Sequence, residues 1–178
     1  MEVVLPDPSV VVLVGPAGAG KSTFAARHFA ADEVLSSDAF RALVAGDEAD
    51  QSATRPAFAA LHGALARRLA AGRLTVVDAT NVERHARRAI VAQARAAGVP
   101  AVAIVFDLDL ALVLARNAGR RERIVDPAVV RRHRATLAQL FVDGGTEALG
   151  TEGFAAVHRL TTADAVAGVR LSRRSRPR

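Results

Sequence analysis

Residues 10–14 (Val10, Val11, Val12, Leu13, Val14) form an unbroken apolar run between Pro8 and Gly15. A run this short, without polar alternation, reads as a strand buried on both faces. Further strands are read at 33–37, ending in Ser36-Ser37-Asp38, at 74–77, ending in Asp78-Ala79-Thr80-Asn81, at 101–106 and near 154–160. Between them the pattern is helical: 21–30, a stretch from Asp38, 55–71 closed by Gly72, 83–97 stopped by Gly98 and Pro100, and 109–122. A further helix is predicted over 127–142, with proline in its first turn, and a short closing one over 162–168. Gly46 to Thr54 reads as a polar loop, and Gly144, Gly145 and Gly150 loosen the chain before the last strand. Buried strands alternating with helices predict an α/β fold, a parallel sheet of about five strands with helices on both faces. Residues 1–171 are expected to form one domain and 172–178 a basic C-terminal tail.

Composition narrows the chemistry. Aromatic residues make up only 4% of the 178, so the core must come from Val, Leu, Ile and Ala. Cysteine is absent, which excludes disulfides and thiolate metal sites. The five histidines show no metal-ligand spacing. Without a leader-like segment or a run long enough to span a bilayer, the expected setting is cytoplasmic, with no membrane partner. A net charge of +6 favours anionic partners, and the balance stays positive without the Arg-rich tail. Of the 24 basic side chains a single one is lysine, Lys21. Lysine is a compact point charge where arginine is a planar fork, and the two are not equivalent beside a phosphate.

Lys21 lies inside GPAGAGKST, where the first buried run turns into a helix. This is a complete GxxxxGK[ST] match in its proper strand–turn–helix context. Gly15, Gly18, Ala19 and Gly20 let the backbone fold so that successive N–H groups face a β-phosphate, and the helix start adds partial positive charge. Lys21 is then placed to bridge the β- and γ-phosphates, Ser22 to ligate Mg²⁺, and Thr23 to complete the cradle. The expected ligands are ATP or another nucleoside triphosphate, and Mg²⁺. A guanine-reading Asn-Lys-x-Asp motif is excluded because no second lysine exists.

Phosphoryl transfer needs a base and a cationic lid. Asp38 ends a strand at the carboxyl edge of the sheet, where a carboxylate can take the proton of an attacking hydroxyl. Arg41, one helical turn on, faces the same way; a helix-capping aspartate with a surface arginine fits the same residues. Asp78 fits either a carboxylate ordering magnesium-bound water or a cap on the next helix. Arg116, Arg120 and Arg123, spaced i, i+4, i+7, fall on one helix face and would meet a triphosphate as an Arg-rich helical lid, completing a P-loop kinase-type architecture. A solvated basic face has the same pattern. Arg131, Arg132, His133 and Arg134 suit either a nucleic-acid backbone or solvent.

In order and spacing, VVVLVGPAGAGKSTFA, SSDAFR, LTVVDATNV and ARNAGRRERIVDPAVVRRH resemble the 5′-hydroxyl polynucleotide kinase module of bacterial RNA-repair polynucleotide kinase-phosphatases. The likeness covers nearly the whole chain. It implies that Asp38 is the general base, that Arg41 holds the phosphate beside a terminal 5′-OH, and that Arg116 and Arg123 grip the donor phosphates. Gln51 and His62 also fall at family-like positions. The resemblance implies nucleic acid with a 5′-OH end, RNA or DNA, as the acceptor. It also implies phosphatase and ligase repair activities as fused or associated partners, although no phosphatase metal motif occurs in this sequence. A P-loop kinase for a small metabolite hydroxyl, and a nucleotide-dependent switch, share the same P-loop.

Overall fold

A computed structural model describes residues 1–45, 54–120 and 124–175. Most of the expected 46–54 loop, with Gln51, and also Arg123 lie outside the described residues.

The five expected strands are present as β2 (Val10–Val14), β3 (Val34–Ser36), β4 (Thr75–Asp78), β5 (Ala101–Phe106) and β6 (Ala156–Leu160). They form one parallel sheet in the order β3-β4-β2-β5-β6. All five residues of β2 are fully buried because the strand is sandwiched. Val11 and Leu13 pack with Phe24 and Ala25 of α1 (Lys21–His28), while Val10, Val12 and Val14 face the opposite core. That second core is supplied by Leu61, Leu65 and Leu69 of α3 (Thr54–Ala70) and by Ile90 and Val91 of α4 (Arg84–Ala96). Each such side chain contributes about 1.5–3 kcal/mol on burial. The pattern explains why β2 shows no polar alternation.

The chain leaves β2 toward β3 and β4 on one side, then crosses to β5 and β6 on the other. The crevice over the carboxyl ends of β2, β4 and β5 is therefore the topological switch point, where ligands of open α/β sheets bind. Helix α2 (Ser37–Ala45) follows β3, and α5 (Leu110–Ala118) and α6 (Pro127–Val142) follow β5 and pack against each other.

Three parts of the architecture differ from expectation. A second, two-stranded parallel sheet pairs β1 (Glu2–Asp7) with β7 (Arg170–Ser175), from Glu2↔Arg170 to Asp7↔Ser175. Val3 and Leu5 drive this pairing by packing into the α1-side core. Arg173 fixes it through two hydrogen bonds to Glu33, at 2.6 and 2.8 Å. Residues 172–175, expected in the tail, thus belong to a strand. The glycine-rich stretch after α6 is a helix, α7 (Gly145–Glu152), held by the buried Leu149 and Glu152. Finally, α5 stops at Ala118, with Gly119 as its C-cap, rather than running to 122. The closing helix α8 (Ala163–Ala167) is capped by the Thr162 hydroxyl, which accepts from Ala165 N at 3.0 Å. Among the described residues no helix is long and apolar enough to cross a membrane.

Candidate functional site

A cleft of about 1110 Å³ opens at the carboxyl edge of the sheet. Its floor is the turn from β2 into α1. Gly18 and Gly20 hold φ of 84° and 91°, a left-handed backbone natural to glycine. At Gly18 a second constraint applies, since a Cβ there would stand 2.3 Å from the carbonyl oxygen of Val113 on α5. The turn is tied to the end of β4 by Gly15 N donating to Thr80 O at 2.9 Å. Ala19 is fully buried beneath it. Helix α1 starts without a side-chain cap and without an acidic residue in its first turn. Its leading N–H groups and positive dipole end are thus available to an anion.

Lys21 opens α1 and is buried, its Nζ donating to Pro16 O at 2.9 Å. Burial pushes its ammonium down to about 8, with Asp78 opposing and Arg120 adding to that shift. An ammonium held in this way lacks a full set of partners, and a polyphosphate would supply them. Ser22 and Thr23 are exposed on the same turn and line the cleft.

Asp78 sits at the end of β4, buried, in register with Leu13 of β2 and Ser36 of β3. It does not cap the following helix, whose N-cap is Glu83. Of the two roles open to it in sequence, the structure removes this one. Asp38 lies at the second position of α2, directly after β3, and faces into the cleft. Arg41 is buried beside it and donates to its carboxylate. Arg120 Nη2 approaches the other carboxylate oxygen to 4.0 Å.

The expected single face of three arginines is corrected by the end of α5. Arg116 is on its last turn, with a guanidinium nitrogen 3.7 Å from the Cβ position of Gly20. Arg120 lies beyond the helix and reaches the cleft from the connecting loop. Beyond the helix end Asn117 holds Val125, its buried amide donating to Val125 O at 2.7 Å and accepting from Val125 N at 3.2 Å. The cleft thus brings together Gly18, Gly20, Lys21, Ser22, Thr23, Asp38, Arg41, Arg116 and Arg120.

Several residues that shape the site carry no sequence signal of their own. Asn81 adopts φ 49° and donates from Nδ2 to Leu13 O at 2.8 Å, joining the ends of β4 and β2. Only its occurrence in a Thr-Asn turn after a strand hinted at a left-handed position. Asp107, at the carboxyl end of β5, binds Arg134 at 3.1 Å and also Arg159, so Arg134 is a strut rather than a solvent-facing charge. Arg131 and Arg132 are exposed. His62 lines the cleft and pairs with Gln93 at 2.8 Å. Among the described residues no group of three or more His, Cys, Asp or Glu could hold a metal ion.

A family model described as an AAA domain matches residues 10–143, from β2 through α6. The chain belongs to this AAA domain family. No curated protein matches it. Among solved structures, it is similar to a chain of the Pnkp1/Rnl/Hen1 RNA repair complex, with 20% identity and a TM-score of 0.65 over 76% of this chain. It spans 46% of that chain's length. It is also similar to a sugar kinase from Janibacter sp. HTCC2649, with 19% identity and a TM-score of 0.55, covering 86% of this chain and 85% of the other. A third likeness is to Chaetomium thermophilum Kti12 in complex with ADP-AlF3, with 18% identity and a TM-score of 0.58, covering 89% and 93%. At these identities the likeness is one of fold. This AAA domain protein has a P-loop kinase-like α/β fold, with the parallel five-stranded sheet and flanking helices read from the sequence.

Proposed function

We propose that the protein transfers the γ-phosphate of ATP, or another nucleoside triphosphate, to the 5′-OH end of RNA or DNA. The observation that carries this reading is the placement of Asp38 in one cleft with Lys21 and Ser22, with Arg120 reaching its carboxylate across the gap. A nucleotide switch needs the P-loop but has no use for a carboxylate aimed at an acceptor. An open, arginine-lined cleft in a chain of net charge +6 suits a polyanionic acceptor better than a small neutral one. The likeness to a chain of an RNA repair complex is in keeping with a repair role, for which phosphatase and ligase activities are the proposed partners.

Under this reading the backbone N–H groups of the turn and Lys21 bind the β- and γ-phosphates, Lys21 exchanging its bond to Pro16 O for phosphate oxygens. Arg116, Arg120 and Arg123 offset charge as it spreads over the transferring group. Arg41 holds the phosphate next to the terminal nucleoside. Asp38 orients the 5′-hydroxyl and accepts its proton as the new P–O bond forms and the bond to the β-phosphate oxygen breaks. The hard oxygen donors present fit Mg²⁺, which Ser22 and Asp78 would hold and which would supply positive charge against the donor phosphates.

The deciding experiment incubates the protein with Mg²⁺, γ-labelled ATP and a short 5′-OH oligonucleotide. Label is expected on the oligonucleotide and lost in Lys21→Met and Asp38→Ala. Label appearing only on monomeric hydroxyl compounds would establish a small-metabolite kinase instead, and label transferred nowhere would establish a switch.

A further inference from the structure

We infer that His133 is a direct contact for the donor polyphosphate and takes up a proton when that polyphosphate binds; the inference rests on the nucleotide-binding part of the reading above. His133 stands on α6 and lines the cleft opposite the P-loop turn. Its Nδ1 is shielded from solvent and makes no hydrogen bond, which leaves Nε2 as the nitrogen that meets the cleft. The contrast with His62 is informative. That ring, also half-buried in the cleft wall, is fixed by Gln93 and has a structural partner. His133 has none, so nothing inside the fold accounts for its polar edge.

Its placement is rigid. The next residue, Arg134, donates from Nε to Leu108 O at 3.0 Å and pairs with Asp107 at 3.1 Å, which pins this turn of α6 to the carboxyl edge of β5. The start of α6 is capped by Asp126, which accepts from Ala128 N at 2.7 Å. The ring is therefore presented by the sheet and not by the loop that carries Arg120.

The charges around it set its protonation. Burial and the Arg132 guanidinium push the imidazole below its ordinary range, Glu83 opposes them, and Lys21 across the cleft adds to them. Arg116 and Arg120 reach the same cleft from the α5 side. Other charged groups packed near α6 are already committed: Arg134 and Arg159 to Asp107, and Glu152 to Arg87. A triphosphate beside Lys21 reverses the balance, because its negative oxygens outweigh the neighbouring cations. The ring then gains a proton at Nε2 from bulk water and donates it as a charge-assisted hydrogen bond to a phosphate oxygen.

Isothermal titration calorimetry of the full chain tests this, with Mg²⁺ and the β,γ-imido analogue of ATP as probe at pH 6.5, in buffers of different ionisation enthalpy. The wild type is expected to take up a proton fraction approaching about one, and His133→Gln correspondingly less. The affinity ratio of wild type to variant should widen as the pH falls from about 8 to 6, by at most roughly tenfold per pH unit. In the wild type the His133 ring resonance should titrate at higher pH once the analogue is bound, a readout that stands even where the variant folds poorly. Equal proton uptake in both proteins, or an unmoved ring titration, overturns the inference while leaving nucleotide binding intact. Failure of the analogue to bind the wild type at all brings down both readings.

Discussion

Arg120 Nη2 stands 4.0 Å from Asp38 Oδ2, although one residue lies past the end of α5 and the other opens α2 on the far side of the cleft. In the proposed reaction a donor phosphate would compete with the Asp38 carboxylate for Arg120. Asp38→Asn removes the proton acceptor but leaves the P-loop untouched. Single-turnover transfer is expected to slow by roughly 10²–10⁴. Equilibrium binding of the donor should stay as tight as in the wild type or tighten, since Arg120 loses its competing partner. A variant that keeps more than about a tenth of the wild-type rate would remove Asp38 from the role of base.

Lys21 makes the site pH-dependent in a direction that can be worked out. Its ammonium, ordinarily at 10.5, is lowered to about 8 by burial. Between these values the unfolded chain binds a proton that the folded protein does not, so this group's contribution to stability rises as pH climbs through that window. Below about 8 the buried charge is a standing cost. Lys21→Met is therefore expected to raise the melting temperature at pH 7 while abolishing donor binding. In the wild type, kcat/KM for the donor should fall above about pH 8, because that parameter reports the free enzyme. A profile flat to pH 9.5 would show that Lys21 stays protonated without its ligand.

The sequence foretold the elements whose structure is dictated locally. The β2 run is continuous because both its faces are buried, and the turn after it carries its motif in contiguous residues. What escaped was decided by distant contacts. β7 reads RLSRRS, a polar string with nothing strand-like about it until Val3 and Leu5 fix β1 against the core and offer it an edge. α7 contains Gly145 and Gly150, poor helix formers, and exists because Leu149 and Glu152 are buried against neighbours. Arg134 looked like one more charge in a basic run, and its partner Asp107 lies on another element. The site was legible as far as its residue types went. The pairing of Arg120 with Asp38 was not, because the helix that was to carry Arg120 stops at Ala118.

Gly18 and Gly72 provide a matched test of how closely the P-loop turn and α5 fit. Both have positive φ, 84° and 65°. A Cβ at Gly72 would meet nothing within 4 Å, whereas one at Gly18 would overlap Val113 O at 2.3 Å. Gly72→Ala carries only the left-handed backbone cost of about 1–2 kcal/mol. Gly18→Ala carries that and must also push α5, with Arg116 and Asn117, off the turn. Chemical denaturation should show a larger loss for Gly18→Ala, accompanied by loss of donor binding that Gly72→Ala does not share.

Arg87 and Glu152 form a fully buried pair, with Nε to Oε2 at 2.8 Å and Nη2 to Oε1 at 2.7 Å. Arg87 also donates from Nη1 to the carbonyls of Asn81, at 3.1 Å, and Val82, at 2.6 Å. The guanidinium thereby ties α7 to the cleft wall that follows Asp78. Removing one partner strands the other's charge in the core, which costs about 3–5 kcal/mol, whereas replacing both with apolar side chains can be close to neutral. Glu152→Leu is accordingly expected to be strongly destabilised, and the Arg87→Met/Glu152→Leu double variant to recover most of that loss. The carbonyls of Asn81 and Val82 are not recovered, because methionine has no donor for them. The double variant should therefore melt above Glu152→Leu but below the wild type, and transfer phosphate more slowly, since the turn that follows Asp78 is no longer held. If it regained both stability and rate, Arg87 would matter to α7 alone and the wall beside Asp78 would stand without it.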